Sequence, residues 1–233
     1  MNDMWLNFYD RLIGTEVHNS YTDALDSKGY QYKIFNLEKD FKYLLDIEDD
    51  KFQYFVLKQK IFIMIPLRNQ HRNIFGFTCR AVNDKAFYNI QMDENYPMVF
   101  GLEQLDRMPL NIPVLLCEGI KDVMTLRQIY KCSLAYLTAK PSELLFNFLE
   151  QITNKIIFFP DHDKAGLKLK YDREVKEQRY IKDQELKKKF EYYSKHYTPY
   201  GKDLGNYWEN SEDKDRILNW VKISLKKDEV ILN

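Results

Sequence analysis

The sequence predicts an α/β protein in which a parallel-sheet domain follows a smaller α+β unit. The main observation is an alternation of short apolar runs and helical patterns between residues 114 and 160. That order, strand–helix–strand–helix–strand, is typical of βαβ units on a parallel sheet. A second observation is a pair of apolar runs, 60–67 and 74–80, which flank the polar turn 68–73 and predict a hairpin. Hydrophobic residues make up 45% of the 233-residue chain, which is enough for a sizeable core.

The first part of the chain, to about residue 55, is expected to be mostly helical. In 36–46 (NLEKDFKYLLD), leucine and phenylalanine side chains recur at helical spacing. The apolar run 60–67 (KIFIMIPL) ends close to a proline and predicts a buried strand, and 87–90 is expected to add a third strand after the hairpin. Together these elements predict the small α+β unit.

The second part of the chain supplies the predicted parallel sheet. Its strands are expected at 114–117 (VLLC), 133–138 (SLAYLT) and 155–160 (KIIFFP). The helices between them are expected at 121–130 and 141–151, and further helices at 164–191 and 214–225. The predicted domains are 1–110, 111–207 and 208–233, the last of which is a helical tail.

Charge and cysteine content restrict the possible classes of protein. Lys+Arg and Asp+Glu both number 35, so the chain as a whole is not expected to bind polyanions, although local basic patches remain possible. Residues 60–89 form such a patch, because they hold five Lys or Arg against one acid. The three cysteines form no C-x-x-C pair and the histidines are scattered, so no zinc site is expected in this chain. Isolated cysteines, the absence of a signal-peptide pattern and the absence of a long apolar run predict a cytoplasmic protein without a membrane span.

Three acidic residues directly follow predicted strands of the parallel sheet. Glu118 follows the first strand, and Asp161 and Asp163 follow the third. Because ligands of parallel α/β sheets bind at the carboxyl ends of the strands, these carboxylates are expected to converge. Converging carboxylates are costly unless a cation neutralises them, and oxygen ligands suit Mg²⁺ or Mn²⁺ rather than zinc. Gly119 and Gly166 permit close backbone approach beside the acids.

A simpler interpretation is that these are ordinary exposed acids at strand ends. A single D-x-D occurs often by chance. The complete arrangement is more specific, since an apolar strand precedes Glu118-Gly119 with Asp122 three residues later, and another precedes Asp161-x-Asp163 with Gly166.

These two segments resemble the motifs of a known family. CEGIKDVMTL is similar to the E-G-x-x-D-V motif of Toprim domains, and PDHDKAG to their D-x-D-x-A-G motif. Together they most resemble the bacterial DnaG-type DNA primases and their phage relatives. Toprim domains also occur in topoisomerases, recombination mediators and nucleases.

Further segments resemble the primases in the same order along the chain. IPLRNQHRNIFGFTCR and VNDKAFYN resemble the basic stretch that precedes the Toprim half, FGLEQL resembles the link between the two, and GKDLGNY resembles a downstream acidic loop. The resemblance covers about residues 61–207. It implies a DNA-directed RNA polymerase of the primase type, which makes short RNA primers on single-stranded DNA by Mg-dependent nucleotidyl transfer.

The resemblance also implies roles for individual residues. Glu118, Asp161 and Asp163 would be catalytic and hold Mg²⁺, or Mn²⁺, and Asp203 would hold a further metal. Glu118 could instead act as a general base or acid. Gly119, Asp122 and Gly166 would support the site. The residues implied to bind nucleotide or template are Arg68, Arg80, Lys85 and Lys202. For Arg68 a solvated hairpin is an equal alternative.

The sequence also departs from the family's pattern, and other functions stay open. Gly205 stands where a further acid is usual, and no zinc-ribbon precedes residue 60. A zinc-ribbon protein or domain would therefore act from another chain, and a replicative helicase is a further expected partner, beside the template and NTPs. The alternatives are a Toprim nuclease that cleaves phosphodiester bonds and a catalytically inactive nucleic-acid-binding module of the replication machinery.

Overall fold

The computed structural model divides the chain into two compact units, Met1–Met98 and Val99–Asn233. The structure describes residues 2–106, 112–138, 141–153, 155–161, 193–195, 204–205, 214–227 and 230. No helix within these ranges is long and apolar enough to cross a membrane.

Four helices belong to the first unit, and three of them begin at side-chain caps. Asn19, Asn36 and Asp49 each accept a hydrogen bond from a backbone N–H of the first helical turn, which would otherwise lack a partner. The helices are α1 (Asn2–Arg11), α2 (Ser20–Ser27), α3 (Leu37–Leu44) and α4 (Asp50–Gln59). The prediction of a mostly helical first part, including a helix within 36–46, is confirmed.

An antiparallel sheet completes the first unit. Its strands are β1 (Lys33–Asn36), β2 (Ile61–Arg68), β3 (Ile74–Ala81) and β4 (Phe87–Gln91), in that spatial order. The predicted hairpin and third strand are therefore confirmed. The prediction missed β1, because four residues between helices carry no alternation of their own and become a strand by pairing with the edge of β2.

The core between helices and sheet is mainly aromatic. Phe52 of α4 is fully buried and lies edge-on to Trp5, with ring centroids 4.9 Å apart. It also contacts Phe62 of β2 edge-on, at 5.8 Å. Tyr88 of β4 donates its hydroxyl to the Asp49 carboxylate, 3.0 Å away, and so ties the cap of α4 to the sheet. This core fixes α4 against the strands.

The second unit contains a parallel sheet of order β6–β5–β7–β8. Its strands are β5 (Val114–Cys117), β6 (Ser133–Ala135), β7 (Ile156–Phe159) and β8 (Tyr193–Lys195). The α/β class with a preceding α+β unit is confirmed. The sequence analysis predicted three of these strands and missed β8, whose three residues carry no apolar run and pair with β7.

Three helices of the second unit are described. They are α5 (Ile120–Leu126), α6 (Glu143–Glu150) and α7 (Lys214–Lys227). Helix α5 ends earlier than the predicted 121–130, although Tyr130 N–H still bonds to Leu126 O at 2.8 Å in the following turn. The predicted helix 164–191 lies outside the described residues.

The division between the units precedes the boundary that the sequence analysis predicted near residue 110. Phe100 pairs with Ala135 at the outer edge of β6, through hydrogen bonds of 2.8 and 3.1 Å. Arg127 stabilises this link, because its guanidinium donates to the carbonyls of Gly101 and Ser133 and lies 5.4 Å from the Phe100 ring centroid. Residues 99–105 therefore belong to the second unit.

The aromatic core gives a stability prediction. Replacement of Phe52 by Ala should lower the free energy of unfolding of the first unit by about 3–5 kcal/mol, because it removes a buried ring and leaves a cavity. Tyr54→Ala on the same helix is the matched control, since Tyr54 is 68% exposed, and should cost less than about 0.5 kcal/mol. Urea unfolding measures both. Equal effects of the two substitutions would contradict the packing described here.

Candidate metal centre and basic sheet face

Three residues that follow neighbouring strands meet at one edge of the parallel sheet. Cys117, the last residue of β5, pairs with Ala135 of β6 on one side and with Phe159 of β7 on the other. Glu118 and Tyr136 are therefore the next residues of adjacent strands, and Asp161 follows β7 after one proline. Because parallel strands end on the same side, Glu118, Tyr136 and Asp161 share the carboxyl edge of the sheet.

Backbone hydrogen bonds continue beyond the ends of β5 and β6. Tyr136 N–H donates to Cys117 O at 3.0 Å, and Leu137 N–H donates to Glu118 O at 3.1 Å. Leu137 has φ +53°, a left-handed conformation that is unfavourable for a leucine. This turn ends the strand at Ala135, ahead of the predicted 138, and holds Tyr136 beside Glu118.

The acids at this edge differ in exposure and in contacts. Asp161 is 6% exposed and Asp122 is 5% exposed, whereas Glu118 is half-buried. Asp122 accepts a hydrogen bond from Gly119 N–H at 3.0 Å. It thereby closes the turn between β5 and α5 and fixes the backbone next to Glu118.

Sequence reasoning missed Tyr136, which is 1% exposed. Among the described residues, no donor or acceptor forms a hydrogen bond with its hydroxyl. Burial raises the pKa of Tyr136 far above its ordinary value, and the charges of Glu118, Cys117, Asp161 and Asp122 raise it further, in that order. The phenol is therefore neutral and lies within electrostatic reach of the acids. No local pattern indicates this, since Tyr136 reads as one more apolar strand residue.

A second contact that sequence reasoning missed joins α5 to the downstream loop. Thr125, on α5, is fully buried, and its hydroxyl lies 3.2 Å from Leu204 O and 3.1 Å from Lys121 O. Leu204 is also buried. The contact therefore ties the segment 204–205 to the helix that begins at the carboxyl edge of β5.

Several residues expected at the site lie outside the described part of the chain: Asp163, Gly166, Lys202 and Asp203. Within the described part, no group of three or more His, Cys, Asp and Glu side chains is arranged to hold a metal ion. The residues that the structure brings to one edge are Glu118 and Asp161, with Asp122 and Tyr136 near them.

Of the basic residues expected to bind nucleic acid, Arg68 and Arg80 lie on strands of the first unit and Lys85 lies in a turn. Arg80 is half-buried on β3, and its guanidinium lies 5.0 Å from the centroid of the Tyr21 ring. Arg68, at the end of β2, donates to Gln31 Oε1 at 2.8 Å and to Arg72 O at 2.9 Å, so it also has a structural role in the hairpin. Lys85 is exposed in the turn before β4.

No family model matches this sequence, and no curated protein sequence matches it either. Solved structures do match. A DnaG catalytic core has a TM-score of 0.61 at 17% identity, over 97% of this chain and 78% of that one. A DnaG primase catalytic domain bound to single-stranded DNA has a TM-score of 0.61 at 17% identity, over 97% of this chain and 76% of that one. The E. coli primase catalytic core has a TM-score of 0.59 at 17% identity, over 94% of this chain and 79% of that one. The chain therefore has the fold of the DnaG primase catalytic core.

Proposed function

We propose that this chain is a primase catalytic core, which makes short RNA primers on a single-stranded DNA template. One observation carries the proposal: Glu118 and the buried Asp161 follow adjacent parallel strands of a chain that has the DnaG core fold. One solved structure of similar fold is a DnaG catalytic domain bound to single-stranded DNA, which supports the proposal that single-stranded DNA is the template.

The described residues fit a divalent cation of the magnesium type. Glu118 and Asp161 supply carboxylate oxygens, the ligand type that Mg²⁺ and Mn²⁺ prefer. The Tyr136 hydroxyl, which is buried near this edge, lacks a hydrogen-bond partner among the described residues and is not counted as a ligand. Asp163 and Asp203 are proposed to complete the ligand set.

The chain's own residues would position and orient the reactants. A bound Mg²⁺ would neutralise triphosphate charge and favour attack by a 3′-hydroxyl. Glu118 and Asp161 would hold the cation at the sheet edge, and Asp122 would keep the Glu118 turn closed through Gly119 N–H. Arg80 and Lys85, and also Arg68 and Lys202, would bind phosphates of the template or nucleotide, since such contacts carry most non-specific affinity.

Replacement of the buried acid tests the proposed activity. Asp161→Asn should lower primer synthesis by roughly 10²-fold or more, because it removes a charged oxygen ligand. The assay measures RNA oligomers made from labelled NTPs on single-stranded DNA with Mg²⁺ or Mn²⁺. Asp215→Asn is the control, since Asp215 is exposed on α7 and should leave synthesis unchanged.

Other products in this assay would contradict the proposal. DNA that is shortened in an Asp161-dependent manner, without RNA, would indicate a nuclease. Binding of DNA with neither product would indicate a binding module, provided that the assay is repeated with a zinc-ribbon protein and a replicative helicase added.

Template affinity tests the proposed role of Arg80. Arg80→Gln should weaken binding of single-stranded DNA about 3–10-fold at low salt, and should reduce the salt slope by about 0.7, the value for one phosphate contact on a single strand. Arg11→Gln is a charge-matched control in the same unit, because Arg11 is paired with Asp46 at 2.6 Å. Fluorescence anisotropy at several salt concentrations measures both. Equal losses of DNA affinity in the two variants would show that Arg80 acts only through the net charge of the chain.

The Thr125–Leu204 contact predicts a positioning effect, because Leu204 is the neighbour of Asp203 in the sequence. Thr125→Val should lower primer synthesis roughly tenfold, because small displacements of reacting groups are costly. It should also lower the free energy of unfolding by about 1 kcal/mol, the value of one hydrogen bond. Thr125→Ser retains the hydroxyl and should keep synthesis within about twofold of the original. Loss of synthesis in both variants, or in neither, would contradict this role.

A further inference from the structure

Tyr136, in the second unit, has a buried hydroxyl to which the proposed function assigns no role. It lies at the end of β6, at the same level of the sheet as Glu118 at the end of β5. Two backbone hydrogen bonds and the left-handed turn at Leu137 hold it there. The phenol ring therefore has little freedom to leave the carboxyl edge of the sheet.

The hydroxyl of Tyr136 is buried, yet none of the described residues gives it the hydrogen bond that buried hydroxyls usually form. Buried polar groups are almost always hydrogen-bonded, because an unsatisfied one loses its hydrogen bonds to water without replacement. Tyr136 is 1% exposed, and its hydroxyl has no such bond within the described part of the chain. Tyr130 shows the usual arrangement in the same unit, since it is also buried and its hydroxyl donates to Pro113 O at 2.8 Å.

The surroundings of the hydroxyl indicate what its partner would be. Tyr136 is the residue after Ala135 and Glu118 the residue after its partner Cys117, so both lie at the same point of adjacent strands, and Asp161 follows the next strand. A neutral phenol beside carboxylates is a hydrogen-bond donor, and it complements an oxygen rather than a cation. Donors of this kind beside metal sites commonly form hydrogen bonds with the metal's ligands and orient them.

We propose that Tyr136 is a positioning residue, whose hydroxyl donates a hydrogen bond to an oxygen in the coordination shell of the divalent cation held by Glu118 and Asp161. This oxygen belongs to a water molecule or to a phosphate of the nucleotide. The inference rests on the proposed metal site of the primase and adds to it a residue that orients the cation's ligands without binding the cation itself.

The inference predicts opposite effects of one substitution on stability and on cation binding. Tyr136→Phe removes an unsatisfied buried hydroxyl, so the melting temperature of the cation-free chain should stay the same or rise by up to roughly 5 °C. The same variant should bind Mn²⁺ roughly 10-fold more weakly, the usual effect of losing an outer contact of a metal site. A hydroxyl with only a structural role would not separate the two readouts in this way.

The experiment titrates the full chain with Mn²⁺ and follows free Mn²⁺ by electron paramagnetic resonance, without and with inorganic triphosphate. A loss of affinity with Mn²⁺ alone assigns the oxygen to water, and a loss only with triphosphate assigns it to a phosphate. Tyr130→Phe is the matched control. It should lower the melting temperature by roughly 2–4 °C, because it breaks a formed hydrogen bond, and should leave Mn²⁺ affinity unchanged.

The outcomes separate this inference from the proposed function. If the original chain binds Mn²⁺, Asp161→Asn does not, and Tyr136→Phe binds as tightly as the original under both conditions, the role of Tyr136 is wrong and the metal site stands. If the original chain does not bind Mn²⁺, or Asp161→Asn binds it equally well, the metal site and the role of Tyr136 are both wrong.

Discussion

Strand β5 pairs in parallel with β6 and β7 at once, and the candidate site of the second unit depends on this double pairing. Cys117 fixes both registers, since it pairs with Ala135 of β6 and with Phe159 of β7. The residues that follow these three positions come from distant parts of the chain, yet they reach one edge. A shift of one residue in either register would turn a strand's side chains to the opposite face. The fully buried strands, with apolar side chains on both faces, make such a shift costly.

The carboxyl edge combines groups that would be unfavourable together in a simple core. Burial of Asp161 and of the Tyr136 hydroxyl costs free energy that packing elsewhere must offset. Buried polar groups of this kind are typical of functional sites. The contacts that hold the edge in place, namely the Asp122–Gly119 hydrogen bond, the Thr125–Leu204 contact and the turn at Leu137, all use the backbone.

The first unit has a different construction, in which helices cover an antiparallel sheet through an aromatic core. Paired residues of an antiparallel sheet lie on the same face, so the face with Phe77 and Cys79 belongs to the core and the face with Arg80 is the opposite one. Arg80 and its cross-strand neighbour Phe87 share that opposite face, and Phe87 is 55% exposed. The alternation along β3 thus places Arg80 on the face opposite the aromatic core, where Thr78 is nevertheless buried.

The sequence by itself determined the order of the elements and the acids at the strand ends, because hydrophobic periodicity and residues next to apolar runs are local properties. It predicted the β2–β3 hairpin, β5, β7 and the positions of Glu118 and Asp161 directly after strands. Only the tertiary structure decided that 33–36 and 193–195 are strands, since each depends on a neighbouring strand for its hydrogen bonds. It also decided the burial of Tyr136 and the Thr125 contact with Leu204. Those features arise between residues far apart in the chain, where no local pattern records them.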